Sequence, residues 1–418
     1  MIEFDSWIKN TYIKGDTMGV RNKKVMLLGG NYFQMTATKA AKRLGYYVVS
    51  VDYLPDNPAH KYADEYYNVS TLDKDAVFTL AKKLGIDGIV SYASDVSAPT
   101  AAYVAEKMGL PTNPLETVEI MTDKERFHPY LREKGFFVPK VATIREKQEL
   151  EDFFIEVGGK IIIKPPHSSG SKGISVISNE SELQSAYTEA VAYANGENLV
   201  AEEFIQRQNY QIAGDAFVVD GRIVYFGLAN EHFDRRCNPL VPIGESFPAN
   251  ISLEQREKAR KEIQNALADL GFKNGAVNLD FMFKEDGEIF IIELGPRNGG
   301  NLITDAISVA GNVDLAEYTI KLAVGDDVSD LVEENMDKFV SSYIWHAQKD
   351  GIFNDISISN ELREKIILSD ILVDKGTKIK RFDNGGFGLG AALLKFDSME
   401  QMLYMMDHME EFYEVQYK

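Results

Sequence analysis

Apolar residues between Lys24 and about residue 110 occur in short runs, and longer stretches of helical periodicity separate them. Strands that alternate with helices predict a parallel sheet with helices on its faces. The helix SAPTAAYVAEKMG and the proline-rich segment LPTNP, at residues 110–114, predict the end of this unit. Three runs read as buried strands: KVMLLGG at 24–30, YYVVSVDY at 46–53 and IDGIVSYA at 86–93.

The segment GGNYFQ, at residues 29–34, follows the first predicted strand and opens a helix. It lacks the third glycine of the GxGxxG fingerprint, which disfavours a nicotinamide or flavin dinucleotide and favours a tight turn that contacts another ligand. Asn31 and the Ser94-Asp95 pair follow strands of this unit. Because ligands of α/β sheets collect at the carboxyl ends of strands, we expect these side chains to face one cleft.

Apolar and polar residues alternate in the middle of the chain, which predicts antiparallel hairpins. One hairpin, within residues 210–228, turns at Asp220-Gly221, and another, within residues 278–294, turns at Asp286-Gly287. After about residue 326 the pattern predicts a smaller region that mixes helices and strands.

Asp280 and Glu293 interrupt the two apolar runs of the second hairpin. If Asp286 and Gly287 are the two turn residues, these acids lie opposite each other on one face, although opposed like charges destabilise a sheet. A Mg²⁺ ion would neutralise them, and two acids pointing into water are the alternative that the hairpin alone leaves open. The other face is predicted to be core: Leu279, Phe281, Phe283, Phe290, Ile292 and Leu294.

Three capping pairs predict helix starts: Thr122 with Glu125, Ser181 with Gln184, and Ser252 with Gln255. The first would hold Lys124 in the opening turn of its helix. A cation there opposes the helix dipole, which suggests an anionic ligand, although a solvated lysine also fits.

Lys164 ends the apolar run IIIK, where a lysine requires an anionic partner. That partner is a phosphate or, alternatively, a carboxylate in the core. The glycine and serine loop HSSGSKG, at residues 167–173, offers backbone N–H groups to an anion, although such loops are more often plain turns.

The order of these motifs resembles the ATP-grasp superfamily over residues 22–325, and particularly the ligases that join a carboxylate to an amine through an acyl phosphate. The resemblance implies a mixed α/β and α+β fold with a Rossmann-like domain that does not bind NAD. The implied layout is an N-terminal extension (1–21), a Rossmann-like pre-ATP-grasp domain (22–118), an ATP-grasp domain (119–325, with lobes 119–198 and 199–325) and a C-terminal α+β subdomain (326–418).

The resemblance also implies roles for single residues. Lys124 and Lys164 would contact ATP phosphates, and Arg297 would meet the acyl substrate and its phosphate, so that Arg297 and Lys164 are the catalytic candidates. Asp280 and Glu293 would hold Mg²⁺, for which Mn²⁺ is expected to substitute. The lid over the phosphates would comprise Ser168, Ser169, Gly170, Ser171 and Gly173. Adenine and ribose would meet Glu202, Glu203, Phe204, Ile205 and Gln208.

Two positions depart from the family pattern. Many relatives carry an asparagine two residues after the second metal carboxylate, where this chain has Gly295. Asn298 or water would then supply the missing metal ligand. The ribose acid of relatives is replaced by Gln208 and Asn209, whose amides can still bind hydroxyl groups.

The segment 229–250 lines the acyl and amine pockets in ligases of this kind, and here it contains His232, Asp234, Arg235 and Arg236. The pair of arginines suggests an anionic substrate group, such as a carboxylate or a phosphosugar. A solvated loop with salt bridges is the alternative.

The composition limits the kinds of partner and cellular compartment that we expect for this protein. A net charge of −19 disfavours nucleic acid, and a single cysteine, Cys237, excludes an intramolecular disulfide and fits a reducing compartment. No apolar run is long enough for a membrane helix and no signal peptide is evident, so the cytoplasm is expected. The family resemblance makes a homodimer an expectation.

These observations favour an ATP-dependent, ADP-forming ligase that joins an amino acid or another small carboxylic acid to an amine. An ATP-dependent carboxylase that activates bicarbonate is an alternative, as is a non-catalytic ATP-binding sensor. A sensor predicts lost metal carboxylates, whereas Asp280 and Glu293 are both present.

Overall fold

A computed structural model describes residues 23–165, 175–194 and 196–418, without the side chains of Lys124 and Glu125. The predicted extension (1–21) therefore lies outside the described residues. Within these ranges, every helix is too short or too polar to cross a membrane.

The first unit is a parallel sheet of order β3-β2-β1-β4, which confirms the predicted α/β pattern. Helix α1 and a later helix cover one face, and α2 and α3 cover the other. The strands are β1 (Lys24–Leu28), β2 (Tyr47–Asp52), β3 (Glu65–Asn68) and β4 (Gly88–Ser91). The helices are α1 (Met35–Arg43), α2 (Lys74–Leu84) and α3 (Ala98–Met108).

The second unit is a small antiparallel sheet of order β5-β8-β6-β7. Its apolar face packs on two helices, α6 and α7. The strands are β5 (Val141–Ile144), β6 (Ile161–Lys164), β7 (Ser175–Ile177) and β8 (Leu199–Glu203). The helices before and within this unit are α4 (Leu115–Thr122), α5 (Lys124–Glu133), α6 (Lys147–Glu156) and α7 (Leu183–Tyr193).

The predicted capping boxes of Thr122 with Glu125 and of Ser181 with Gln184 are wrong, and near the latter Asn179 and Glu182 form the box instead. Thr122 is the last residue of α4, and its hydroxyl donates to the carbonyl of Val118 at 2.9 Å. A threonine hydroxyl can also donate a hydrogen bond to a carbonyl in the preceding turn of its own helix. A threonine near a helix boundary is therefore compatible with the end of one helix as well as with the start of the next. Helix α5 begins at Lys124, whose side chain lies outside the described residues.

An eight-stranded antiparallel sheet of order β13-β12-β9-β10-β11-β14-β18-β16 forms the largest unit. Helix α8 (Leu253–Asp269) covers one face, and the predicted capping box of Ser252 and Gln255 at its start is confirmed. The strands are β9 (Gln211–Val219), β10 (Arg222–Phe233), β11 (Pro242–Phe247), β12 (Gly275–Phe283), β13 (Ile289–Gly295), β14 (Phe339–Trp345), β16 (Ile366–Ile371) and β18 (Gly390–Phe396).

The last third of the chain extends this sheet through β14, β16 and β18 and adds a small sheet of order β17-β15-β19. The methionine-rich helix at its end is core, since Met402, Met405 and Met406 are buried. The remaining strands are β15 (Gly351–Ile358), β17 (Lys378–Ile379) and β19 (Tyr413–Tyr417). The remaining helices are α9 (Ile303–Gly311), α10 (Leu315–Ala323), α11 (Asn360–Lys365) and α12 (Met399–Asp407).

Gly214, inside β9, should be the least replaceable glycine of the large sheet. Its φ is +138°, and a Cβ at this position would lie 2.0 Å from the carbonyl oxygen of Gly227. We expect Gly214→Ala to lower the free energy of unfolding by more than about 3 kcal/mol, because both the backbone angle and the strand spacing oppose a side chain.

Urea unfolding of wild type and variant measures this loss. Gly385→Ala is the matched control, since a Cβ there meets no atom within 4 Å. If Gly214→Ala is as stable as the control, the spacing between β9 and β10 adjusts to a side chain at little cost in stability.

Candidate active site

The hairpin of β12 and β13 places Asp280 directly opposite Glu293, as predicted, but its turn and its strand pairing differ from the prediction. Lys284 N donates to the Glu288 carbonyl at 2.8 Å, so three residues rather than two form the turn. A register shift between Asp280 and Phe281 then leaves one extra residue, Ile292, in β13. The longer turn shifts the strand pairing by one residue and the bulge shifts it back, so the two acids lie on one face.

The bulge also changes which residues reach the core. Ile291 is 1% exposed and packs in the cluster beneath α8, whereas the predicted core residue Ile292 is only partly buried. Leu279, Phe281, Phe283, Phe290 and Leu294 are buried as predicted.

The acids of the hairpin begin a row of acidic and amide side chains across five strands, which we call the acid row: Glu293, Asp280, Gln211, Glu231 and Glu245. One amide nitrogen, Gln211 Nε2, donates to Asp280 Oδ1 at 2.8 Å and to Glu231 Oε2 at 2.7 Å. Glu231 pairs across the sheet with Glu245, whose carboxylate accepts a hydrogen bond from Ser342.

Burial makes the inner part of the acid row resist ionisation. Burial raises the pKa of Glu231 well above its usual value, and the negative charges of Asp280 and Glu245 raise it further. Burial likewise raises the pKa of Glu245 to about 7, against the hydrogen bond from Ser342. This end of the sheet face therefore favours the approach of protons or cations.

Arg297 follows β13 and forms a two-pronged ion pair with Asp95, from the loop after β4. Its Nε donates to Asp95 Oδ1 at 2.8 Å, and its Nη2 donates to Asp95 Oδ2. Nη1 donates to Asn278 Oδ1 at 2.7 Å, and Glu293 Oε1 lies 4.0 Å from Nη2. Burial opposes the charge of Arg297, but Asp95, Glu293 and Asp215 outweigh it and raise its pKa. Asp95, which we predicted to face the cleft, thus contacts Arg297 at the end of the β12–β13 hairpin.

Asn298 lies beside a fully buried carboxylate, Asp215 on β9. Its amide nitrogen donates to Asp215 Oδ2 at 3.2 Å, and its amide oxygen accepts from Thr319 Oγ1 at 2.7 Å. Gly299 N donates to both Asp215 oxygens at 2.9 Å, and a Cβ on Gly299 would lie 2.9 Å from Asp215 Oδ1. Both ends of the Asn298 amide are therefore occupied by protein atoms.

Lys164 and Glu202, predicted at different parts of a nucleotide site, meet on neighbouring strands of the small sheet. Lys164 Nζ lies 2.5 Å from Glu202 Oε1, so a carboxylate partners this lysine in the described structure. The lid residues Ser168, Ser169, Gly170, Ser171 and Gly173 lie outside the described residues, as does the side chain of Lys124.

The predicted adenine segment continues β8 towards the large sheet. Glu203 and Phe204 donate backbone N–H groups to the carbonyls of Lys140 and Lys160 at 2.9 and 3.1 Å. Ile205 is partly buried. Gln208 N donates to the carbonyl of Phe283 at 2.9 Å, which ties this segment to the tip of the hairpin.

A cavity of about 630 Å³ opens where β10 ends against α12, and Glu231 of the acid row lines it. We call it the arginine cavity. Its charged lining comprises Arg207, Glu231, Asp234, Arg235, Arg236, Asp407 and Glu410.

Behind this cavity, Asp234, Cys237 and His346 present ligand atoms that lie within 4.8 Å of one another. However, Arg236 Nε and Nη2 donate to the two oxygens of Asp234 at 2.9 and 2.7 Å. His346 Nε2 lies 3.0 Å from Asp234 Oδ2. Because the guanidinium places a permanent cation on Asp234, this cluster is a hydrogen-bonded network rather than a metal site.

Sequence reasoning did not single out Asp215, Gln211, Glu231 or Glu245. A signal was present, since each is a polar residue inside an otherwise buried strand. Their convergence depends on pairing between three strands, which no short sequence window contains.

Comparison with protein families matches residues 121–301 to the ATP-grasp domain family. Among curated relatives, the carbamoyl phosphate synthase large chain of Vibrio cholerae is 25% identical over 321 residues. That match covers 72% of this chain and 29% of the relative, so the chain spans less than a third of the relative's length.

Two solved structures have the same fold over nearly the whole chain. Phosphoribosylglycinamide synthetase from Anaerococcus prevotii superposes with a TM-score of 0.76 at 22% identity, over 95% of this chain and 100% of that one. The L-amino acid ligase from Bacillus licheniformis gives 0.76 at 18% identity, over 96% and 100%. Residues 121–301 thus match the ATP-grasp domain family, and nearly the whole chain has the fold of these two enzymes.

Proposed function

We propose that this protein is an ATP-dependent, ADP-forming ligase that joins a small carboxylic acid, such as an amino acid, to an amine through an acyl phosphate. The observation that carries the proposal is the opposition of Asp280 and Glu293 on one sheet face, with Arg297 clamped beside Glu293. The ATP-grasp domain match and the fold support it.

The residues present fit a magnesium ion. Two carboxylates opposed across a hairpin form a hard, anionic oxygen site, and Mg²⁺ is commonly held by one or two carboxylates together with substrate phosphates. Asp280 and Glu293 would hold it, and Mn²⁺ has the same ligand preference. When bound, the ion would neutralise the charge of the phosphates. Asn298 or water would supply a further ligand, and the second lone pair of the Asn298 amide oxygen would serve, since Thr319 occupies the first.

The remaining residues would position and neutralise the substrates. Arg297 offers a guanidinium fork that suits a carboxylate and a phosphate. Lys164 would exchange its contact with Glu202 for a phosphate of ATP, with Lys124 as the second lysine. The loop at 168–173 would cover the phosphates, and the segment from Glu202 to Gln208 would hold adenine and ribose.

The chemistry follows from the weakness of a carboxylate as an acylating agent. A carboxylate oxygen attacks the γ-phosphorus of ATP, and ADP leaves with the electrons of the broken bond. The amine then attacks the acyl carbon and displaces inorganic phosphate. Fixed cations at Arg297 and Lys164 serve both steps by positioning and charge neutralisation.

Hydroxylamine provides the direct test, because it traps acyl phosphates as hydroxamates. With Mg²⁺ and ATP, we expect a panel of amino acids, other small carboxylic acids and bicarbonate to include an acid that yields hydroxamate and ADP together. Glu293→Gln should lower that rate about 100-fold or more, because one metal carboxylate is lost.

Glu288→Gln is the matched control, at the exposed end of the same hairpin, and should stay within about 2-fold of wild type. ADP release with bicarbonate alone would replace the ligase with a carboxylase. ATP binding without turnover on any acid would favour a sensor.

Asp95 should act as a positioning residue, because it holds Arg297 through both oxygens. We expect Asp95→Asn to lower the kcat for hydroxamate formation roughly 10- to 100-fold, since a displaced guanidinium no longer meets the transferred phosphate. The KM for ATP should change little, because adenine and ribose bind elsewhere.

Asp56→Asn is the control for this change, as an exposed acid of the same parallel-sheet unit. If Asp95→Asn lowers thermal stability and ATP affinity together with kcat, Asp95 has only a structural role.

A further inference from the structure

Gln211, the first residue of β9, lies between the hairpin acids and the rest of the acid row. On β9, Ala213 is the strand partner of Asp280, and residues two apart on a strand share a face. Gln211 is therefore a diagonal neighbour of Asp280, and it is the direct strand partner of Glu231 on β10. Diagonal neighbours lie roughly 7–8 Å apart, a distance that a long side chain can span.

The amide of Gln211 has one orientation that suits both acids. Its nitrogen has two hydrogens, which it donates to Asp280 Oδ1 at 2.8 Å and to Glu231 Oε2 at 2.7 Å. Turning the amide over would place its oxygen against these two carboxyl oxygens, so that acceptors would face acceptors. The two acids thus fix the amide, and the amide holds the Asp280 carboxylate by one of its oxygens.

The backbone on either side of Gln211 is anchored. Ile212 is 1% exposed and packs in the core beneath α8. Tyr210 donates its hydroxyl to a carboxylate oxygen of Asp407, the last residue of α12. Because both neighbours are held, the Gln211 side chain starts from a fixed point, and its contact with Asp280 is preorganised.

An amide at this position can orient an acid without changing its charge. Asp95, by contrast, is paired with the guanidinium of Arg297, which neutralises it. Gln211 donates a hydrogen bond but contributes no charge, so it orients the Asp280 carboxylate without neutralising it. Carboxylates that bind metal ions are typically hydrogen-bonded in this way by residues outside the ligand set, which tune the affinity for the metal.

We propose that Gln211 is the positioning residue of the metal site, and that its amide orients the Asp280 carboxylate for Mg²⁺. This assignment rests on the proposed function, in which Asp280 and Glu293 hold the ion. Mg²⁺ demands nearly ideal octahedral geometry, whereas Ca²⁺ accepts flexible geometry. A carboxylate that the protein orients therefore favours Mg²⁺, and a carboxylate released from Gln211 loses part of that preference.

Manganese binding tests this role without turnover. Mn²⁺ is titrated into protein saturated with β,γ-imido-ATP, the EPR signal of the free ion gives the Kd, and Mg²⁺ and Ca²⁺ are then used to displace it. Gln211→Met keeps the length of the side chain but removes both donors. We expect it to raise the Kd of Mn²⁺ about 10- to 100-fold, the usual effect of losing such a partner of a metal ligand. The Kd of Mg²⁺ should rise at least about threefold more than that of Ca²⁺.

Two further variants complete the test. Gln211→Asn keeps an amide but is one methylene shorter, so it cannot span the same distance and should also weaken Mn²⁺ binding. Gln148→Met is the matched control, because Gln148 Nε2 also donates to an aspartate, Asp152 Oδ1 at 3.1 Å, on the exposed side of α6. This control should bind all three ions as wild type does.

The outcomes separate the role of Gln211 from the metal site itself. If Gln211→Met binds Mn²⁺ as tightly as wild type while Glu293→Gln loses it, the metal site stands and Gln211 has no part in it. If Gln211→Met weakens all three ions equally and lowers thermal stability, Gln211 has only a structural role. If Glu293→Gln also binds Mn²⁺ as wild type does, the metal site is wrong, and the proposed ligase fails together with the role of Gln211.

Discussion

The opposition of Asp280 and Glu293 is the constraint on which the rest of the site depends. The hairpin fixes both carboxylates on one face, where like charges destabilise the sheet unless a cation or proton intervenes. The flanking residues keep this arrangement in register, because the bulge at Ile292 restores the pairing that a three-residue turn would shift. A one-residue slip would turn one of the acids towards the core beneath α8.

The same hairpin joins the parallel sheet to the large antiparallel sheet. Arg297 leaves β13 and meets Asp95, which comes from the end of β4, so residues from distant parts of the sequence set the position of one guanidinium. The Arg297 side chain is nearly buried and that of Asp95 is partly exposed, so removing Asp95 would leave the guanidinium charge largely uncompensated. The ion pair therefore links the position of the parallel sheet to the site on the large antiparallel sheet.

The sequence was sufficient for local features and insufficient for contacts between distant strands. Alternation and the Asp-Gly turn predicted that Asp280 faces Glu293, although two errors of one residue, in the turn and in the bulge, cancelled. The sequence allowed Lys164 either a carboxylate or a phosphate as its partner, and Glu202 is a carboxylate partner in the structure. Glu231, Glu245 and Asp215 escaped notice because their neighbours come from other strands, and strand pairing is not encoded in a local window.

The acid row and the arginine cavity place buried acids beside arginines, and the charge of Arg207 lowers the pKa of Glu231 against the effect of burial. Burial still makes Glu231 and Glu245 hard to ionise, because it raises the pKa of both carboxyl groups. A fold selected for stability alone would pair these groups directly or replace them with apolar residues, as isosteric apolar replacements of buried charges show. Buried acids that resist ionisation on the face shared with Asp280 and Glu293 are explained when a bound cation compensates them, since a ligand that binds only the folded state also stabilises it.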